Sequence, residues 1–374
     1  MQFELSDEQR ELAEFIRELL SSKSDSASVR ATIAHDAPFD AELWSVLCDQ
    51  IGAASLAIPE EYGGAGYSTF ETHIVLEELG YALTPSPYFG SVALAAQAVL
   101  ASGNAEACAR LLPSVADGSR IAALAWADPT GRWSPADVGV SAQETDGVWR
   151  LSGETPLVID GIAADLVLVI AATPRGPALF ELTDTGALTK ESTPALDPAL
   201  SFATYRFDAS AATLLACEAD TPFLDRLRDL ALTALTAIQV GAAARGLDMT
   251  VAYSLQRAQF GRLIGSYQAL KHRMADLHVR LETARTTSRA AAWAAANDSA
   301  ELGQLASLAK TWCSDSLTAI ASETIQLHGG IAITWEHDAH LVFKRAHATA
   351  QLFGSPGEQR ARVAQSLGLD RTSA

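Results

Sequence analysis

The last two-fifths of the chain limits the fold most. From Pro222 onward apolar residues recur at helical spacing in unusually long runs. Leu224, Leu227, Leu230, Leu235 and Ile238 open one run, which extends to about Gln256. A second spans Tyr267 to Asn297, a third Glu301 to Leu327, and a shorter one Trp335 to Gln351. Long apolar helices need one another to bury their faces, so a helix bundle is the expected architecture. Clustered alanines fit close helix packing and high helix propensity.

The N-terminal block is also helical, with different punctuation. Phe3, Leu5, Leu12, Phe15, Ile16, Leu19 and Leu20 trace one amphipathic face, and Ser6 before Asp7-Glu8-Gln9 has the pattern of an N-cap. Further helices are expected near Asp40 to Gly52, Thr69 to Leu83, Ser91 to Ser102, and from Ala105. LAIPEEYGGAGY and the pair Pro85, Pro87 interrupt them.

Between about Gly118 and Asp220 the texture changes. The runs IAALAW, GVWRLSG, ADLVLVIAAT, PALFELT and FATYRF alternate with turn residues, which points to antiparallel β-structure rather than βαβ units. The expected organisation is therefore α+β in three domains: helical 1–118, barrel-like antiparallel β 119–220, and a four-helix bundle 221–374.

Composition then excludes partners. Forty-five acidic against 27 basic residues give a net charge of -18, unsuited to nucleic acid or an anionic membrane. No run of 18 uninterrupted apolar residues suggests a transmembrane span, and MQFELSDEQRELAEF does not read as a signal peptide. Cys48, Cys108, Cys217 and Cys313 form no CxxC and read as buried free thiols of a cytoplasmic protein.

Motif chemistry is sparse. GGAG at 63–66 lacks the Rossmann spacing, and neither a GxSxG elbow nor a P-loop is present. His328, Glu336, His337, Asp338, His340 and His347 cluster in sequence, and His337 and His340 would share a face on a helix, but their spacing is not that of a zinc site. No metal is expected. Arg257-Ala258-Gln259-Phe260-Gly261 presents a cation and an aromatic where a long helix stops. Gln326-Leu327-His328-Gly329-Gly330 ends another helix on paired glycines. Together these would suit the pyrophosphate of a dinucleotide, and each alone would equally suit a surface charge or a helix C-cap.

The order of blocks and several strings resemble the acyl-CoA dehydrogenase family across essentially the whole chain. LAIPEEYGGAGYSTFETHIVLEELGYAL, LSGETPLVIDGIAADLVLV and LDPALSFATYRFD are similar to its N-terminal and middle-domain strings. RAQFGRLIGSYQALKHRMADL and ETIQLHGGIAITWEHDAHLVFKRA resemble its C-terminal signatures. The resemblance implies FAD, an acyl-CoA thioester substrate oxidised at the α,β-bond, an electron-transfer flavoprotein or similar acceptor, and a tetramer with FAD across each dimer interface. It assigns Arg257, Phe260, Gln268, Gln326, Gly329 and Gly330 to the adenine and pyrophosphate end of the neighbouring subunit's FAD.

The same resemblance exposes losses. The family's usual catalytic glutamate falls on Phe353, in Leu352-Phe353-Gly354-Ser355. Its alternative position on the first bundle helix falls on Ala231, followed by Leu232 where arginine is expected. The flavin-stacking Trp-x-Thr before Asn-Gly reads Leu157-Val158-Ile159-Asp160-Gly161, and Trp126-Ala127-Asp128-Pro129 keeps little of the other flavin-contacting string. A partner-reaching half that is kept beside an own-ring half that is lost implies a bacterial α2β2 enzyme for a bulky, steroid-type acyl-CoA. In it this chain assists a homologous catalytic subunit. The alternatives are a homomeric dehydrogenase with its base relocated to Asp229 or Glu358, another flavoprotein of this fold, and a non-enzymatic scaffold.

Overall fold

Ser6 opens the first helix. The computed structural model describes residues 4–35, 37–133, 138–220 and 222–369, so Phe3 lies outside it. In α1 (Asp7–Lys23) the Ser6 hydroxyl accepts from the Gln9 amide at 3.2 Å, and Gln9 Oε1 accepts from the Ser6 amide at 3.0 Å. This reciprocal pair satisfies two orphan donors of the first turn. Ile16 and Leu20 are buried, whereas Phe15 is exposed. The short α2 (Ser26–Ala34) was not expected. The helix expected over Asp40 to Gly52 is α3 (Ala41–Ser45) continued by a π-turn, Val46–Gln50. Next come α4 (Thr69–Ala82), a fully buried π-helical segment Phe89–Ala96 leading into α5 (Gln97–Ala101), and α6 (Ala105–Ala116).

Seven strands follow: β1 (Ala122–Ala125), β2 (Val140–Thr145), β3 (Val148–Ile159), β4 (Leu166–Thr173), β5 (Gly176–Leu182), β6 (Leu188–Ser192) and β7 (Phe202–Cys217). Their order is β1-β4-β2-β3-β7-β5, with β6 on β7, and β4–β5 pairing closes the path into a barrel. The expectation of purely antiparallel pairing is corrected. β1 runs parallel to β4, from Ala122 opposite Leu166 to Ala125 opposite Val169, and β2 meets β4 at one parallel bridge. β1 is fed by a helix rather than a hairpin turn, so nothing in its connection imposes an antiparallel neighbour.

β4 shows why the sequence read as an unbroken apolar run. Leu166, Leu168 and Ile170 pack in one core with α5 and α6, while Val167, Val169 and Ala171 fill the barrel interior. Both faces are buried, so the alternation is between two cores rather than between core and water.

The C-terminal helices are α7 (Leu224–Ser254), α8 (Gln268–Ala296), α9 (Leu302–His328), α10 (Ala339–Gln351) and α11 (Pro356–Ser366). The hairpin β8 (Ala258–Gln259) and β9 (Arg262–Leu263) lies between α7 and α8. By length and composition α7 could cross a membrane, but its apolar window is almost wholly buried inside the protein.

Contacts divide the chain into two units. One holds Arg30–Thr72 and Pro85–Ala231, which includes the barrel. The other holds Met1–Val29, His73–Thr84 and Leu232–Ala374. In the second, α4 crosses α7 at glycines. A Cβ on Gly241 would sit 1.9 Å from the Glu77 carbonyl oxygen, and one on Gly80 would sit 2.5 Å from that of Ile238. Backbones this close admit no side chain at either position.

Candidate functional site

Arg257 follows α7 and is exposed. Its carbonyl accepts from the Ile264 amide at 2.8 Å, which closes the base of the β8–β9 hairpin. Ala258 pairs with Leu263 and Gln259 with Arg262, leaving Phe260 and Gly261 as a two-residue turn with φ of 53° and 78°. Two positive φ values match the right-handed twist of a hairpin, but a phenylalanine adopts one only under constraint. Phe260 is 94% exposed at this tip, so its own chain gives the ring no burial. The Tyr267 hydroxyl donates to the Gln259 carbonyl at 3.2 Å and bears the Arg262 guanidinium on its ring face, which stiffens the approach to Gln268, the exposed first residue of α8.

α9 ends at His328. Gln326 is exposed, and among the described residues nothing lies within 4 Å of a Cβ at Gly329 or Gly330. That open backbone, an exposed guanidinium and an unburied aromatic fit the flat, anionic adenine–pyrophosphate end of FAD approaching from outside. His328 is buried: its Nδ1 meets the Thr324 carbonyl at 2.7 Å and its ring stacks on Tyr253 at 4.5 Å. Burial holds its pKa below the ordinary histidine value.

The expected helical face shared by His337 and His340 does not form. His337 precedes α10, accepts from the Ala339 amide at 3.1 Å and lies 4.5 Å from the His328 ring. His340 is on the helix and meets Trp335 edge-on. Backbone turning before Ala339 separates them. Among the described residues no group of three His, Cys, Asp or Glu could hold a metal. All four cysteines are buried and free, as expected.

Phe353 and Ala231, the two positions that the resemblance aligns with the base, are buried and carry no titratable group. Phe353 is 3% exposed, with φ of 56°, and Ala231 is fully buried on α7. The relocation candidates have structural work. Glu358 Oε2 accepts from the Ser355 amide at 2.7 Å and hydroxyl at 2.9 Å, capping α11, and Asp229 lies 3.4 Å from Arg228 Nε.

In the barrel unit, Leu157 occupies a β-bulge between Thr155 and Val158, again at positive φ. Bulges re-aim side chains beside functional sites. The string that the resemblance aligns with the flavin ring is aliphatic here: Leu157, Val158 and Ile159. The nearby Thr155 hydroxyl is spent on the Ala127 carbonyl at 2.7 Å. The buried Trp126 indole N–H has no hydrogen-bond partner among the described residues. This half of the residue set does not fit the ring by the pattern that the resemblance implies.

Two buried ionisable groups escape sequence reasoning. Asp160 Oδ2 accepts from the Gly90 amide at 2.9 Å, and burial raises its pKa to about 7. Lys310 is fully buried, donates to Ser314 Oγ at 3.0 Å and to the Ala350 carbonyl at 2.9 Å, and burial lowers its pKa to about 7. Only tertiary burial marks either, so no local signal could have found them.

Comparison with known proteins agrees with this architecture. Residues 6–119 match the acyl-CoA dehydrogenase N-terminal domain and residues 231–368 the acyl-CoA dehydrogenase C-terminal domain. The acyl-CoA dehydrogenase IpdE2 of Mycolicibacterium smegmatis is 38% identical over 96% of this chain and 98% of its own length. A variant of the Tcur3481–Tcur3483 steroid ACAD superposes with TM-score 0.87 at 30% identity, covering 98% of this chain and 99% of that one. A chain of the ChsE4–ChsE5 complex from Mycobacterium tuberculosis gives 0.89 at 29%, with both chains fully covered. The chain therefore belongs to the FAD-dependent acyl-CoA dehydrogenase family.

Proposed function

We propose that this chain is the non-catalytic member of a heteromeric, α2β2 acyl-CoA dehydrogenase of the bacterial cytoplasm. The complex desaturates a bulky, steroid-type acyl-CoA thioester and passes electrons to an electron-transfer flavoprotein or similar acceptor. The observation that supports this reading is the burial of Phe353, the residue that the resemblance aligns with the family's base. A general base must reach the proton it removes and change charge doing so, and neither a phenyl ring nor Ala231 can. Glu358 and Asp229 are engaged as a cap and an ion pair, which weighs against a relocated base.

Bound FAD supplies the two-electron acceptor of the desaturation. This chain's part is to hold the partner's FAD from outside. Arg257 offers a guanidinium to pyrophosphate. Phe260 offers a ring face to the adenine end. Gly329 and Gly330 offer close backbone approach, and Gln268 and Gln326 offer amide hydrogen bonds. Two solved relatives support the assembly and substrate class: one is a complex of two named proteins and the other a steroid ACAD.

Expression alone and with a homologous subunit tests the proposal. Flavin content and turnover should be negligible alone, and the complex should carry one FAD per catalytic partner. Full occupancy and normal turnover in the isolated chain would refute it.

A further inference from the structure

The residues assigned to FAD stand mainly on two exposed arms. One is the β8–β9 hairpin beyond α7, with Arg257 at its base and Phe260 at its tip. The other is the short segment Gly329–Ile333 beyond α9. Local hydrogen bonds shape each arm. The Ile264 amide donates to the Arg257 carbonyl, and the Thr334 amide to the Ile331 carbonyl at 3.1 Å. Bonds inside an arm do not set its distance from the other.

A ring contact joins the arms at their roots. Tyr253, in the last turn of α7, stacks on His328, the last residue of α9, with centroids 4.5 Å and planes 28° apart. The Tyr253 carbonyl accepts from the Arg257 amide at 2.9 Å. His328 is bonded directly to Gly329, whose amide donates to the Ile325 carbonyl. His337 lies 4.5 Å from the same imidazole, where the glycine arm returns toward α10. A carbonyl only accepts, so His328 Nδ1 carries the proton that it gives to Thr324. The ring is 4% exposed, and its Nε2 has no hydrogen-bond partner among the described residues. One hydrogen bond and the ring contacts therefore orient it. Stacked rings contribute beyond the area that they bury.

We propose that Tyr253 and His328 are positioning residues, whose stack fixes the Arg257 arm against the Gly329–Gly330 arm so that both meet one pyrophosphate. The inference rests on the proposed assignment of these arms to the partner's FAD, and adds what holds them in register.

Amide hydrogen exchange of the full chain reads the joint without flavin. Tyr253→Leu should speed exchange at Gly329, on the other arm, by about 3- to 10-fold, and Tyr253→Phe should keep the wild-type rate. An unchanged Gly329 rate in Tyr253→Leu, or an equally fast one in Tyr253→Phe, would overturn the joint. FAD titration of the assembled complex reads its use. Tyr253→Leu should weaken FAD binding by about 3- to 10-fold and Tyr253→Phe should not. Combined with Arg257→Gln, Tyr253→Leu should cost less than the product of the two single losses, because it acts through that arm. A loss in Arg257→Gln with none in Tyr253→Leu would overturn the positioning role. No loss in either would instead refute the FAD assignment, and the exchange rates would then decide the joint alone.

Discussion

Gln359 Nε2 donates to the Phe353 carbonyl at 2.8 Å, tying the first turn of α11 to a residue held at φ of 56°. The turn at Phe353, which the resemblance aligns with the family's base, is therefore held by backbone and cap contacts rather than by the aromatic ring alone. Phe353→Glu should keep the turn but place a carboxyl in a site only 3% exposed, at a cost of about 2–4 kcal/mol. On the proposed function, the new carboxyl should add no flavin bleaching by acyl-CoA to the assembled complex, because the residues that the resemblance puts beside the ring stay aliphatic. Anaerobic stopped-flow absorbance reads this directly, and bleaching above wild type would contradict it.

Gly241 and Gly330 should respond in opposite ways to alanine. At Gly241 the added Cβ meets the Glu77 carbonyl at 1.9 Å, so Gly241→Ala should cost about 3 kcal/mol or more. Gly330 faces open space, so Gly330→Ala should stay within about 0.5 kcal/mol of wild type while FAD retention by the complex falls. Urea titration and flavin counting separate the two effects.

Asp160 gives a pH dependence of one sign. Its folded pKa, about 7, lies above that of an unfolded aspartate, so the folded state holds the extra proton between those values. Its contribution to stability is therefore full in acid and is lost as pH rises through 7. Asp160→Asn keeps an acceptor for the Gly90 amide without the charge. The variant should be more stable than wild type by about 1–3 kcal/mol at pH 8, with the difference vanishing toward pH 4.

Lys310 runs the other way. Its folded pKa, about 7, lies below the ordinary lysine value, so the unfolded chain holds the extra proton between pH 7 and 10. Stability should climb over that range by up to about 1.4 kcal/mol per pH unit relative to Lys310→Met, and the two curves should run parallel below pH 6. Chemical denaturation at several pH values provides the comparison.

The long C-terminal helices were legible because each has a strong local signal. The run expected from Tyr267 to Asn297 is a helix from Gln268 to Ala296. Trp335 to Asp338 looked like the start of α10 but turns instead, since contacts with His328 and Ala339 override propensity there. β2 and β6 were missed because they are short and largely polar. Phe353 was visible from its neighbours in the string. The state of Asp160 was not, because Gly90 approaches it from 70 residues away.

The glycine crossing of α4 and α7 also bears on how the protein is made. A ribosome delivers α1 and α4 first, and then the entire barrel before Leu232 emerges. Until that moment the face of α4 around Gly80 has no backbone to receive it. The helical unit therefore cannot be finished in order of synthesis, and its oldest segments wait for its newest. A C-terminal fragment beginning at α7 would emerge without the helix its glycines were shaped to meet.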